Sequence, residues 1–193
     1  YALLPNKYRN QEKSAQLHIM LYKTGEHYFD FKHYEEARKW FKKLIEEHPK
    51  STVTQFAARR LIDTYREAND WQNVALWAER ISKLDFGKDF GDELRTLEVG
   101  ALFRSATLLF EQGEFQKAAD EYIRLVNENP KAKDAPQALN NAAFAYEKIR
   151  KFESAGRVYE RIVKEYPDSE FVENALFNLA KSHQKVFDYD KAI

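Results

Sequence analysis

The sequence contains no cysteine. That removes disulfides, thiol nucleophiles and Cys-based zinc sites, while leaving the compartment open. No apolar run approaches the roughly 18–20 residues that a bilayer-spanning helix needs. An excess of either charge is missing too: 31 basic side chains balance 31 acidic ones. Neither a nucleic-acid backbone nor an anionic membrane is therefore the default partner. Proline and glycine are scarce, at five and six of 193 residues. No stretch sustains the period-two alternation of a half-buried strand, so no sheet is expected. What is abundant is aromatic: 14 Phe and 11 Tyr. That balance suits a helical protein whose small helices pack through aromatic rings.

Internal self-similarity organises the chain. An aromatic residue, two others, a small residue, three others and a bulky residue recur as Tyr34…Ala37…Phe41, Phe115…Ala118…Tyr122 and Phe152…Ala155…Tyr159. Trp71…Val74…Ala78 is a weaker copy, and Tyr189…Ala192 begins another. Three copies end in a proline eight residues on: Pro49, Pro130 and Pro167. The leading aromatics are spaced by 37, 44, 37 and 37 residues. The long interval exceeds the others by seven residues, about two helical turns, so an insertion there keeps the buried face in phase. It is placed at Lys88–Leu94, as loop or as extra helix. Pro5 points to a further repeat upstream.

Each unit divides into two helices. The first carries apolar or small residues at helical spacing: Leu21, Thr24, Gly25 and Tyr28, then Leu139, Ala142, Ala143 and Tyr146, then Leu176, Leu179 and Ala180. The second carries Ala37, Phe41, Leu44 and Ile45, matched by Ala155, Tyr159, Ile162 and Val163. Spacings of three and four place each set on one stripe. Prolines end the second helices. Ser51 and Ser169 are expected at N-cap positions, Asp134 with Pro136 and Gln137 in a capping-box-like arrangement, and Gly113 in a tight turn.

The pattern Leu21…Thr24-Gly25…Tyr28…Ala37…Phe41…Pro49 resembles the tetratricopeptide repeat (TPR) consensus over nearly the whole chain. The resemblance implies an all-α, right-handed α-solenoid of antiparallel helix pairs with about five repeats. The expected divisions are 1–13 (the end of a preceding repeat or a linker), 14–49, 50–86, 87–130 with the seven-residue insertion, 131–167 and a truncated 168–193. The extra three residues per repeat, with Pro-Lys-Ser51 and Pro-Asp-Ser169, resemble repeats of bacterial envelope proteins, such as an outer-membrane assembly lipoprotein or a Tol-associated periplasmic protein. A periplasmic or outer-membrane-associated setting follows from that narrower likeness, with the cytoplasm as the alternative. Tyr1 is not Met, and the chain stops where the repeat demands a helix; it reads as part of a longer array.

Sites of chemistry are hard to find. His18, His27, His33, His48 and His183 make no His-Glu-x-x-His and no other metal spacing, so no metal is expected. Phe86-Gly87-Lys88-Asp89-Phe90-Gly91 lacks the phosphate-loop signature and reads as an inter-helix loop. Gly-x-Ser-x-Gly is absent. Carboxylates such as Glu35, Glu36, Glu46 and Glu47 sit at helix-surface positions. Lys42-Lys43 and Arg59-Arg60 are short pairs without a stacking platform, so nucleic acid is not expected. No cofactor and no catalytic activity are expected.

In the tetratricopeptide family, first helices line a concave face that touches the ligand. The resemblance carries that role onto Tyr22, Glu26 and Phe29; Arg59, Asp63 and Arg66; Phe103, Thr107 and Phe110; Asn140, Asn141 and Phe144; and Phe177, Asn178 and Lys181. Aromatics offer contact area at small entropy cost, and Asn pairs with both polar groups of a peptide backbone. Arg59 and Arg66, seven apart, are placed to clamp a carboxylate. The competing role for Phe103 and Phe177 is packing between repeats, and for Arg59 an exposed salt bridge. Tyr22 and Glu26 stand where carboxylate-clamp domains carry Lys and Asn, so a chaperone-tail clamp in the first repeat is unsupported. The expected function is a scaffold binding a protein or peptide segment. The alternatives are an architectural module, a homo-oligomer through its repeat ends, or the recruitment domain of a larger enzyme.

Overall fold

The computed structural model describes residues 6–190, with side chains for 16–186. Among the described residues there are nine helices and no strand: α1 (Asn6–Asp30), α2 (Tyr34–Glu47), α3 (Thr54–Glu67), α4 (Trp71–Ser82), α5 (Lys88–Glu111), α6 (Phe115–Glu128), α7 (Ala135–Lys148), α8 (Phe152–Glu165) and α9 (Val172–Asp190). The all-α expectation holds. The upstream repeat inferred from Pro5 and the small residue Ala192 lie outside the described residues. The chain divides into two compact units, Tyr1–Glu98 and Val99–Ile193, with the boundary inside α5.

In the first unit, α1 packs on α2, α2 on α3 and α3 on α4, with α1 also touching α3. The buried stripe is the one the spacing marks: Leu21 on α1, with Ala37, Phe41, Leu44 and Ile45 on α2. Gly25 is there because of Phe41. A Cβ added at Gly25 would lie 2.5 Å from the Phe41 ring, well inside van der Waals contact. The second repeat exchanges the sizes. Ile62 takes the place of Gly25 and Ala78 the place of Phe41, and both are buried. Trp77, one position earlier, is buried as well. The weak copy in the sequence is thus the same volume divided differently between two helices.

The second unit repeats the scheme, with α6 packed on α7, α7 on α8 and α8 on α9. Ala106 is paired in register with Tyr122, and Ala143 with Tyr159; all four are buried. Leu139, Ala142, Leu125 and Ile162 complete this core.

Each helix pair is joined by the same turn. Residues Lys32, Asn69, Gly113 and Arg150 all have positive φ, between 54° and 80°. At each, the amide bonds back three residues and the next amide bonds back five, as in Lys32 N to Phe29 O (2.8 Å) and His33 N to Tyr28 O (2.9 Å). This doubly bonded left-handed ending satisfies carbonyls that a helix C-terminus leaves free. Gly113 adopts it without strain, whereas three of the four turns use a residue with a Cβ.

Second helices end differently. His48, Asn129 and Tyr166 stand before Pro49, Pro130 and Pro167 with φ near −130° and ψ of 52–60°. Proline excludes its predecessor from the helical region, so each helix stops there. Ser51 and Ser169 are not N-caps, as the sequence had suggested. They close a turn ahead of the helix, their hydroxyls accepting from Val53 N (3.5 Å) and Phe171 N (3.2 Å), because the helices begin only at Thr54 and Val172. Asp134 occupies its N-cap position but makes no side-chain cap bond, so no capping box forms. Asp70, by contrast, does cap its helix with its side chain, accepting from Asn73 N.

Lys88–Leu94 is helical, forming the first turns of the 24-residue α5, with Phe90 and Leu94 buried. Lys88–Gly91 therefore belongs to a helix and not to a loop. α9 runs on to Asp190, past the turn expected before Tyr189. Phe187 falls in register with the left-handed residues, and a bulky aromatic rarely enters that region. Leu176 and Ala180, expected to be packed, are exposed, since no described second helix folds back on them.

One buried cation escaped the sequence reading. Arg38 on α2 donates to the Thr64 hydroxyl (3.0 Å) and carbonyl (2.8 Å) on α3, pairs with Glu35 and lies 4.1 Å over the Tyr65 ring. Fully partnered, it ties one helix pair to the next.

Two outcomes follow for stability. Gly25→Ala should destabilise by about 1–3 kcal/mol through overpacking against Phe41, despite the better helix propensity of Ala. Arg150→Gly should stabilise by roughly 0.5–1 kcal/mol by relieving the left-handed strain, less the added entropy of the unfolded chain. Urea unfolding of each variant measures both.

Candidate partner-binding surface

The first-helix positions differ between the two units. In the first unit they are engaged with one another. The Tyr22 hydroxyl donates to Glu26 at 2.6 Å. Burial, reinforced by that carboxylate, pushes the phenol up to about 12. Glu26 also faces Arg60 at 3.7 Å, and the Arg60 guanidinium lies 4.9 Å over Phe29. Arg59 makes a two-pronged pair with Glu93, one prong measuring 2.7 Å, and stacks 4.5 Å over Phe90. Asp63 and Arg66 are 3.6 Å apart. Arg59, placed by the sequence to clamp a partner's carboxylate, already holds an internal one. Both of its contacts come from the first turns of α5, the segment that lengthens the third interval.

In the second unit the corresponding positions are more open. Phe103 is half-buried edge-on against Tyr122, at 5.4 Å, and Thr107 bonds to the Tyr122 hydroxyl at 2.9 Å. These two serve packing. Phe110 is stacked on Phe144 with rings 5.7 Å apart and 21° from parallel. Phe144 is still 44% exposed, and the Lys148 ammonium sits 4.8 Å over its ring. Asn140 and Asn141, on the same helix, are half-buried. On α9, Phe177 is 68% exposed, Lys181 is exposed and Asn178 half-buried.

Two sequence profiles, both described as Tetratricopeptide repeat, match residues 20–51 and 103–170. The chain belongs to the tetratricopeptide repeat superfamily. As a TPR chain it is a protein-interaction scaffold built of helix pairs. No curated protein sequence matches it. Among solved structures it is similar to a tetratricopeptide repeat protein from Parabacteroides merdae, at 18% identity and a TM-score of 0.41. That alignment covers 91% of this chain and 62% of the other, so this chain spans less than two thirds of that relative. It is also similar to a putative kinesin light chain from Podosopora anserina, at 14% identity, 92% and 90% coverage and a TM-score of 0.40. A third is the TPR2AB-domain:pHSP90 complex of yeast Sti1, at 14% identity, 92% and 87% coverage and a TM-score of 0.36.

Elsewhere in this TPR chain the described residues offer little else for chemistry. No group of three or more potential metal ligands occurs among them. No described helix is long and apolar enough to cross a membrane. His18 and His48 face each other with ring centroids 4.1 Å apart. A cleft of about 570 Å³ is lined by residues of the two linkers of the second unit, among them Tyr166, Pro130, Pro136 and Pro167. The sequence reading missed the internal partners of the first-unit residues, Glu93, Phe90 and Arg60. An i to i+34 pairing such as Arg59 with Glu93 leaves no trace in local spacing.

Burial raises the carboxyl of Asp63 above its ordinary value, against the pull of Arg66 and Arg60. A raised native value favours the protonated form. Its contribution is therefore present below the ordinary carboxylate range and lost as the pH climbs through the raised one. Asp63→Asn should gain in melting temperature relative to the unsubstituted chain on going from pH 4 to pH 7. A gap that stays constant or narrows would assign Asp63 an ordinary, ion-paired role.

Proposed function

We propose that this chain captures an extended or helical segment of a partner protein on the first-helix face of its second unit, as a scaffold in a multiprotein assembly of the bacterial envelope. The observation that carries the reading is the contrast between the two units. The first-unit side chains on this face satisfy one another. Phe144, stacked on Phe110, stays open beside the amides of Asn140 and Asn141. An exposed, pre-stacked aromatic contributes contact area with little ordering cost, and neighbouring amides can pair with a peptide backbone. Binding of one short segment at micromolar strength, about −8 kcal/mol, is the scale expected.

No catalytic step is part of this reading. The envelope setting, periplasmic or outer-membrane-associated, is supported by the 37-residue spacing and by the Pro-Lys-Ser51 and Pro-Asp-Ser169 linkers. Both linkers fold into one turn geometry, in which the Ser51 and Ser169 amides bond back to His48 and Tyr166.

Affinity capture from envelope extracts, followed by binding measurements on the retained segment, tests the proposal. Phe144→Ala and Asn140→Ala should each weaken binding by about tenfold or more, with helicity unchanged by circular dichroism. Arg59→Ala should change it little. Retention unaffected by the first two substitutions would remove the assignment of this face.

A further inference from the structure

The uncommitted charges on the first-helix face of the second unit are of one sign. Phe144 and Lys181 stand 37 residues apart, at one repeat position, and so do Lys148 and Lys185. The Lys148 ammonium lies 4.8 Å over Phe144 and that of Lys185 4.5 Å over Phe152. Among the described residues, no carboxylate pairs with these two lysines or with Lys181. The carboxylates of α5 and α7 on this side are engaged. Glu111 faces Arg104 at 3.7 Å, and Glu147 accepts from the Tyr159 hydroxyl at 3.5 Å. Glu173 is in the first turn of α9, about two turns before Lys181. A missing neighbour does not account for the opening: Phe144 and Lys148 stay exposed with α8 packed on α7 and α9 on α8. Lys181 and Lys185 hold the same two positions one repeat on.

We propose that the protein segment taken up on this face is acidic. An aromatic or apolar side chain seats on the Phe110–Phe144 stack, and side-chain carboxylates beside it meet Lys148, Lys181 and Lys185. The inference rests on the partner-capture reading above and adds the chemistry of the partner. An ammonium has three donors, so one laid on a ring keeps donors for a carboxylate. A single exposed ion pair contributes little. Three cations of one sign around an aromatic anchor nevertheless speed encounter with an acidic segment and select against a basic one. A nucleic acid is the less fitting anion. Its affinity comes from many phosphate contacts, whereas the chain as a whole is neutral and this face offers three lysines beside the amides of Asn140 and Asn141.

Two synthetic peptides with amidated C-termini make the test: a tryptophan flanked by aspartate and glutamate, and the same peptide with asparagine and glutamine in their place. Amidation leaves side-chain carboxylates as the only negative groups. In fluorescence anisotropy at low salt the acidic peptide should bind about tenfold or more tightly than its amide counterpart. The advantage should shrink at about 0.5 M salt. Lys181→Glu should weaken the acidic peptide by about tenfold or more with helicity retained. Lys133→Glu, the same change of charge in the linker ahead of α7, should alter it little. No binding of the acidic peptide at about 1 mM, equal binding of the two peptides, tighter binding of a short oligothymidylate, or equal effects of the two lysine variants would each overturn the proposal. Repeating the envelope capture with Lys181→Glu and Phe144→Ala distinguishes it from the reading beneath it. If only Phe144→Ala loses the captured segment, the face stands and its preference for acid falls; if both variants keep the segment, the face falls too.

Discussion

Everything in this molecule depends on a volume constraint inside each helix pair: where one helix carries a large side chain, the facing helix must be small. Gly25 faces Phe41, Ala106 is matched with Tyr122, and Ala143 with Tyr159. The second repeat keeps the sum and exchanges the terms, with Ile62 and Ala78. Because protein interiors are packed to crystal-like density, neither member can change alone. The helices themselves are short, mostly 12–14 residues, a length at which isolated helices are marginal in water. Their existence therefore follows from this packing more than from propensity.

That constraint explains what could be read from the sequence. Alternation of small and aromatic residues at helical spacing, punctuated by proline, located the helix pairs of both units and the ends of α2, α6 and α8. The left-handed turns were legible only at Gly113, because Lys32, Asn69 and Arg150 carry no glycine signature. There the hydrogen bonds of the turn outweigh backbone preference. Serines after proline read as caps but lie two residues too early, since the linker uses those residues to form a turn. On the first-helix face the kinds of contact weighed for Arg59 and Phe103, a salt bridge and packing, were legible, but the partners Glu93 and Tyr122 were not. Whether Arg59 is free depends on Glu93, a residue brought near by tertiary packing and by the helical form of Lys88–Leu94.

The two units use the same helix pairs to different ends. On the first unit, charges on the first-helix face are satisfied at home: Arg59 pairs with Glu93, and Glu26 faces Arg60 and accepts a hydrogen bond from Tyr22. Exposed pairs of this kind add little stability, but they do occupy the donors and acceptors that a ligand would need. On the second unit the same face carries mainly phenylalanine and asparagine, with Thr107 and Lys181 among them. A few substitutions thus separate a self-satisfied surface from an open one on an unchanged backbone.

The linkers after Pro130 and Pro167 close with matching hydrogen bonds, Ala132 to Asn129 and Ala135 to Ala132, then Ser169 to Tyr166 and Val172 to Ser169. The 37 residues between these junctions begin and end in the same local geometry. Such a stretch is a cassette in its backbone: the same pair of linker hydrogen bonds stands at both ends. The backbone at the two junctions is thus interchangeable, while contacts such as Phe110 with Phe144 stay specific to their own neighbouring repeats.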